Sequence, residues 1–121
     1  MKRIASRFSA LLLAAAFMAD AGAHAFLDHA TPAVGSAIHE SPARVQLRFT
    51  QELEAAFSTV RVLDRGGRQV DKRDQQVDPT NRTLLQVSLP PLAPGRYRVV
   101  WRALSVDTHV TEGDFTFDLA P

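Results

Sequence analysis

Short runs of alternating apolar and polar residues dominate the chain from residue 44 onward. Val45, Leu47 and Phe49 alternate with Arg44, Gln46 and Arg48, the two-residue period of a strand with one buried face. Val60 and Val62 continue the pattern after Phe57 and stop at Asp64-Arg65-Gly66-Gly67, a turn signal. Val70 opens a polar stretch through Lys72, Arg73 and Asp74 that predicts an exposed edge or loop, and Asp78-Pro79-Thr80-Asn81 predicts another turn. Leu85, Val87 and Leu89 alternate with polar neighbours up to Pro90-Pro91. Tyr97, Val99 and Trp101 alternate with Arg96, Arg98 and Arg102, and Phe115, Phe117 and Leu119 with Asp114, Thr116 and Asp118. The last of these runs contains no Pro and predicts a central strand. No segment of ten residues shows the period of an amphipathic helix, so the pattern predicts an all-β sandwich or barrel.

A Pro-Gly turn followed by Tyr at a strand start, in Leu92-Ala93-Pro94-Gly95-Arg96-Tyr97, is similar to the tyrosine corner of Greek-key sandwiches. In that device the hydroxyl bonds back to the backbone. No internal repeat, low-complexity segment or second domain breaks the pattern.

The N-terminus reads differently. Lys2, Arg3 and Arg7 precede an apolar run from Ala10 to Ala19, which Asp20 ends before the small residues Ala21-Gly22-Ala23. These are the three parts of a secretory signal, in a stretch too short to cross a bilayer as a helix. Cleavage after Ala23 makes residues 1–23 a signal peptide and residues 24–121 one small domain, starting at His24. Ala19-Asp20-Ala21 and Ala23-His24-Ala25 also fit the cleavage pattern, and the second would remove His24. The net charge of +1 belongs to the leader, because it carries three of the basic residues and one acid. The rest is close to neutral, with no basic stripe for nucleic acid. Export predicts a location outside the cytoplasm.

The chain has no Cys, and its two Met residues, Met1 and Met18, lie in the leader. Residues 24–121 therefore offer a metal only imidazole, amine and carboxylate, a donor set that suits Cu(II), Ni(II) or Zn(II) and disfavours Cu(I). All four His (His24, His29, His39, His109) lie in that part. A free α-amine and the imidazole of the same His24 form a chelate. Asp107 and His109 stand two apart in Ser105-Val106-Asp107-Thr108-His109, a spacing that puts both on one side of an extended backbone. Together they supply three nitrogens and an oxygen, which can lie in the tetragonal plane Cu(II) prefers.

At these residues the chain resembles the CopC family of periplasmic copper-binding proteins. The likeness runs through His24-Ala25-Phe26-Leu27, Thr31-Pro32, Gly35-Ser36, Leu47-Arg48-Phe49-Thr50 and Pro94-Gly95-Arg96-Tyr97. It continues through Trp101-Arg102-Ala103-Leu104-Ser105-Val106-Asp107-Thr108-His109 and Gly113-Asp114-Phe115-Thr116-Phe117. The resemblance implies a Greek-key, immunoglobulin-like sandwich and one Cu(II) per mature chain, held by His24, Asp107 and His109. It also implies a monomer in copper homeostasis or resistance, with a CopD-like inner-membrane protein as partner. Two features depart from the family. The region Leu63 to Val77 holds neither Met nor His, so a second, Cu(I) site is not expected there. Gln51 stands where members often carry Glu, with Glu52 next to it.

Other residues receive plainer readings. His29 is read as partly buried and hydrogen-bonded beside an inward Leu27, His39 as a solvated surface residue and Trp101 as core. The Arg96, Arg98, Arg102 stripe is read as a solvated face, with docking of an acidic partner as the lesser alternative. Two competing functions remain open. One is an enzyme of the histidine-brace type, which needs an open coordination position and a broad substrate face. The other is an Ig-like interaction domain in which His24 is incidental.

Overall fold

A computed structural model describes residues 26–121. Eight strands form two four-stranded sheets: β1 Leu27–Thr31, β2 Ala37–Ile38, β3 Arg44–Phe49, β4 Thr59–Leu63, β5 Gln76–Asp78, β6 Asn81–Ser88, β7 Gly95–Leu104 and β8 Val110–Leu119. The orders are β1-β3-β6-β5 and β2-β8-β7-β4. Only β5–β6 and β7–β8 are hairpins, and every other connection crosses between the sheets. This is a β-sandwich, as the alternation predicts, with the Greek-key, immunoglobulin-like arrangement that the family resemblance implies. β8 lies between β2 and β7, the central position expected of it.

The alternating residues make the core. Val45, Leu47 and Phe49 of β3 and Leu85 and Val87 of β6 face Val60 and Val62 of β4, Val99 of β7 and Phe117 of β8, all at 2% exposure or less. Asp64 closes the first predicted turn by accepting from Gly66 N and Arg68 N, each at 2.9 Å. Asp78 closes the second by accepting from Thr80 N at 2.8 Å. The Tyr97 hydroxyl donates to the Ala93 carbonyl, which is the predicted corner.

His29 departs from its reading. It is exposed, and the reason is a bulge in β1. Leu27 pairs with Phe49, but His29 pairs with Arg48, so two residues on β1 oppose one step on β3. The extra residue, Asp28, reverses the parity and turns His29 outward with Arg48, while Ala30 faces the core. His39 is exposed, as expected. Trp101 is only partly buried. It packs on the core's edge, 6.5 Å from Phe49 and 6.2 Å from Phe115 between ring centroids. Gly113 makes this possible, since a Cβ there would lie 2.5 Å from two indole carbons.

The arginine stripe is solvated, and each member is paired. Arg96 reaches Asp118 at 2.8 Å, Arg98 pairs with Asp114, and Arg102 reaches Glu112 at 2.9 Å, all across the β7–β8 ladder. Such exposed pairs contribute about 0–1 kcal/mol each. Each charge of the stripe thus has a partner across the ladder.

Candidate metal centre

The predicted ligands Asp107 and His109 lie in the loop that joins β7 to β8. They do converge, with His109 Nδ1 3.3 Å from Asp107 Oδ1. The means is not the extended backbone that the spacing suggests. Thr108 N donates to Ser105 O at 2.9 Å and closes a tight turn, and Thr108 sits at φ 74°. A β-branched residue in the left-handed region costs about 1–3 kcal/mol and persists only where its surroundings hold it.

Ser105 holds it. This residue is fully buried, bridges to Leu53, and donates its backbone N–H to His109 O at 2.9 Å. Its hydroxyl accepts from His109 N at 3.2 Å and donates to Asp107 Oδ1. One side chain therefore fixes both candidate ligands. The Ser105 hydroxyl is also the main reason that the Asp107 carboxyl is held below its ordinary range, with His109 adding a smaller pull.

A second support comes from the segment after β3. Val106 N donates to Glu52 O at 2.9 Å, so residues 51–53 run beside the loop. With its amide nitrogen turned to the carboxylate, Gln51 donates to Asp107 Oδ1 at 3.0 Å and Oδ2 at 2.8 Å. Gln51 thus orients the carboxylate without adding charge, and a Glu there would repel it. Thr50, one residue earlier, donates its N–H to Phe26 O at 2.9 Å and ties the start of the described chain to this end of the sandwich.

Asp107 and His109 are exposed, and Val106 and Val110 flank them, 44% and 51% exposed. Among the described residues, no group of three or more His, Asp or Glu is placed to hold a metal ion. The arrangement offers one imidazole and one carboxylate, half of a tetragonal set. His24 and the predicted signal peptide, residues 1–23, lie outside the described residues. His29 and His39 are not part of this cluster. The sequence singles out Asp107 and His109 as candidate ligands and marks Gln51, but it gives Ser105 no role. Its only visible signal was its place in the Ser-x-Asp-x-His run.

Comparison with known proteins decides the family, since the CopC domain family matches residues 27–120. The chain belongs to the CopC family. The copper resistance protein C of Pseudomonas syringae pv. tomato is 34% identical over 105 residues, covering 80% of this chain and 81% of that protein. The crystal structure of CopC from Methylosinus trichosporium OB3b superposes with a TM-score of 0.71 at 35% identity, over 81% of this chain and 95% of that one. The copper transport protein CutJ of Bacillus subtilis is 29% identical over 98 residues, and the chain spans only 18% of its length.

Proposed function

We propose that this member of the CopC family is a periplasmic copper carrier, not an enzyme. In this reading, removal of residues 1–23 exposes His24, and one Cu(II) binds to the His24 amine and imidazole together with Asp107 and His109. The observation that carries the reading is the convergence of Asp107 and His109, oriented by Ser105 and Gln51, at the end of the sandwich where Phe26 is tied. Two residues of backbone, about 7 Å when extended, separate His24 from Phe26. The copper names of the relatives support the choice of metal, and imidazole, amine and carboxylate donors favour its cupric state. Four donors from one chain leave no equatorial position for oxygen activation, which favours a carrier over a histidine-brace enzyme. The match to a fraction of CutJ supports a copper transport protein, of the CopD type, as recipient for a monomeric donor.

The test is a Cu(II) titration of the exported protein, followed by electron paramagnetic resonance and by mass spectrometry of the N-terminus. We expect one tight cupric site, a chain that starts at His24, and loss of the tight site in His109→Ala. Two tight sites, or a His109→Ala variant with unchanged affinity, would overturn the assignment. Binding should weaken as pH falls, because imidazole and amine donors must give up their protons to the metal, while the Asp107 carboxyl, held below its ordinary range, stays charged.

Ser105→Ala separates orientation from ligation. It removes no donor atom, yet it frees both Asp107 and the His109 backbone. Loss of such a supporting partner typically lowers metal affinity by about 10- to 100-fold, and that is the expected result. The Asp107 carboxyl should also titrate closer to its ordinary range, readable by NMR. Wild-type affinity in this variant would show that the turn does not depend on the hydroxyl.

A further inference from the structure

The sheet edges of this sandwich are not treated alike. β2 is two residues long, and β5 has three with an irregular register. β1 is bulged at Asp28 and is followed directly by Pro32. The free edge of β4 is covered: Val70 N donates to Val62 O at 2.9 Å, and Val62 N donates to Asp71 Oδ2 at 2.7 Å. These are the usual ways of blunting an edge against strand pairing.

The upper half of β8 has no such cover among the described residues. β8 pairs with β7 over its whole length, but β2 meets it only at Asp118 and Leu119. Gly35 N adds a bond to Thr116 O at 2.8 Å, and Asp118 N reaches Ser36 O at 2.9 Å. By the two-residue alternation, the backbone groups of Glu112 and Asp114 point the same way as those of Thr116 and Asp118. No described residue bonds to them on that side. A groove of about 480 Å³ runs along this open stretch, walled by Leu27, Val34, Trp101 and Phe115. Val34 is 62% exposed, an apolar side chain with nothing described over it.

We propose that the open half of β8 is a docking edge, which takes an extended peptide segment of a partner protein as an added strand in line with β2. The partner's chemistry follows from the two faces. Side chains on the inner face of the added strand meet Leu27, Val34 and Phe115, so alternate residues are apolar. Those on the outer face stand beside Glu112 and Asp114. Arg102 and Arg98 already flank these carboxylates from β7, and Lys or Arg on the new strand would flank them from the other side, continuing the cross-strand alternation of charge. The main chain supplies affinity and the alternating side chains supply choice. This site needs no copper and does not depend on the metal reading.

The copper-free protein, titrated against fluorescein-labelled Arg-Val-Arg-Val-Arg-Val and read by anisotropy, tests the proposal. We expect saturable binding, with slowed amide exchange at Glu112 and Asp114 and no binding of Glu-Val-Glu-Val-Glu-Val. Asp114→Pro removes an edge N–H at a position where a strand tolerates Pro, and should weaken binding by about tenfold. Val34→Arg leaves the strand intact, places a like charge at the groove, and should weaken binding similarly. The proposal fails if the basic peptide does not bind, if the acidic one binds equally, or if affinity is unchanged in both variants. It also fails in favour of a second copy if the protein alone dimerises and Asp114→Pro abolishes the dimer.

Discussion

One residue left ahead of His24 is expected to weaken Cu(II) binding by more than about a hundredfold. Loss of a mere supporting partner already costs about 10- to 100-fold, and this change removes a donor nitrogen itself. The added residue converts the α-amine, which titrates near 8 and frees its lone pair at modest cost, into a peptide nitrogen whose lone pair is delocalised. It also breaks the chelate that lets one residue grip the metal twice. The imidazole of His24, Asp107 and His109 remain, so a weaker site survives with an altered paramagnetic resonance spectrum. A protein starting at His24 and one starting a single residue earlier, compared by competition with a chelator of known affinity, make the measurement. An added C-terminal residue should change nothing. Equal affinity in the extended chain would exclude the amine as a ligand and leave Asp107 and His109 in need of another partner.

The alternation of Val45-Leu47-Phe49, Leu85-Val87 and Phe115-Phe117-Leu119 revealed the strands that are buried on one face, because burial there selects side chains at every second position. It could not reveal β2, whose two residues bury no repeating face, or β1, whose bulge breaks the period at Asp28. The same bulge is the reason that His29 faces outward, where the two-residue period from Leu27 expects it inward. Asp107 and His109 were legible because they combine with His24 and fall in the Trp-Arg…Ser-x-Asp-x-His run that resembles the family, not because of their spacing alone. The turn that joins them was not, because a Thr at positive φ has no sequence mark and Ser105 looks like any other serine. The pairing of Arg96, Arg98 and Arg102 needed the register of β7 on β8, which joins residues 10 to 22 positions apart.

Asp71→Ala should be the most destabilising polar substitution in the loop that was read as merely polar. Asp71 is 8% exposed, although it sits among Lys72, Arg73 and Asp74. Its carboxylate accepts from Val62 N at 2.7 Å, Arg73 N at 2.8 Å and the Gln69 amide at 3.1 Å. Alanine leaves the buried Val62 N–H without a partner, at a cost of about 1–3 kcal/mol, and removes a charge-assisted bond of similar worth to Arg73. A loss of about 2–4 kcal/mol is expected, which in a domain of this size lowers the melting temperature by roughly 10–25 °C. Asp71→Asn retains an acceptor and should lose about half as much. Thermal unfolding followed by circular dichroism measures both, and a change below about 0.5 kcal/mol in the alanine variant would mean the loop holds itself without the carboxylate. The loss also has a second consequence. Asp71 and Val70 cover the edge of β4, so releasing them exposes Val62 beside a hydrophobic strand, and the variant should aggregate on heating where the parent refolds. Copper binding at low temperature should survive, since Asp71 touches neither Asp107 nor His109 nor the residues that orient them.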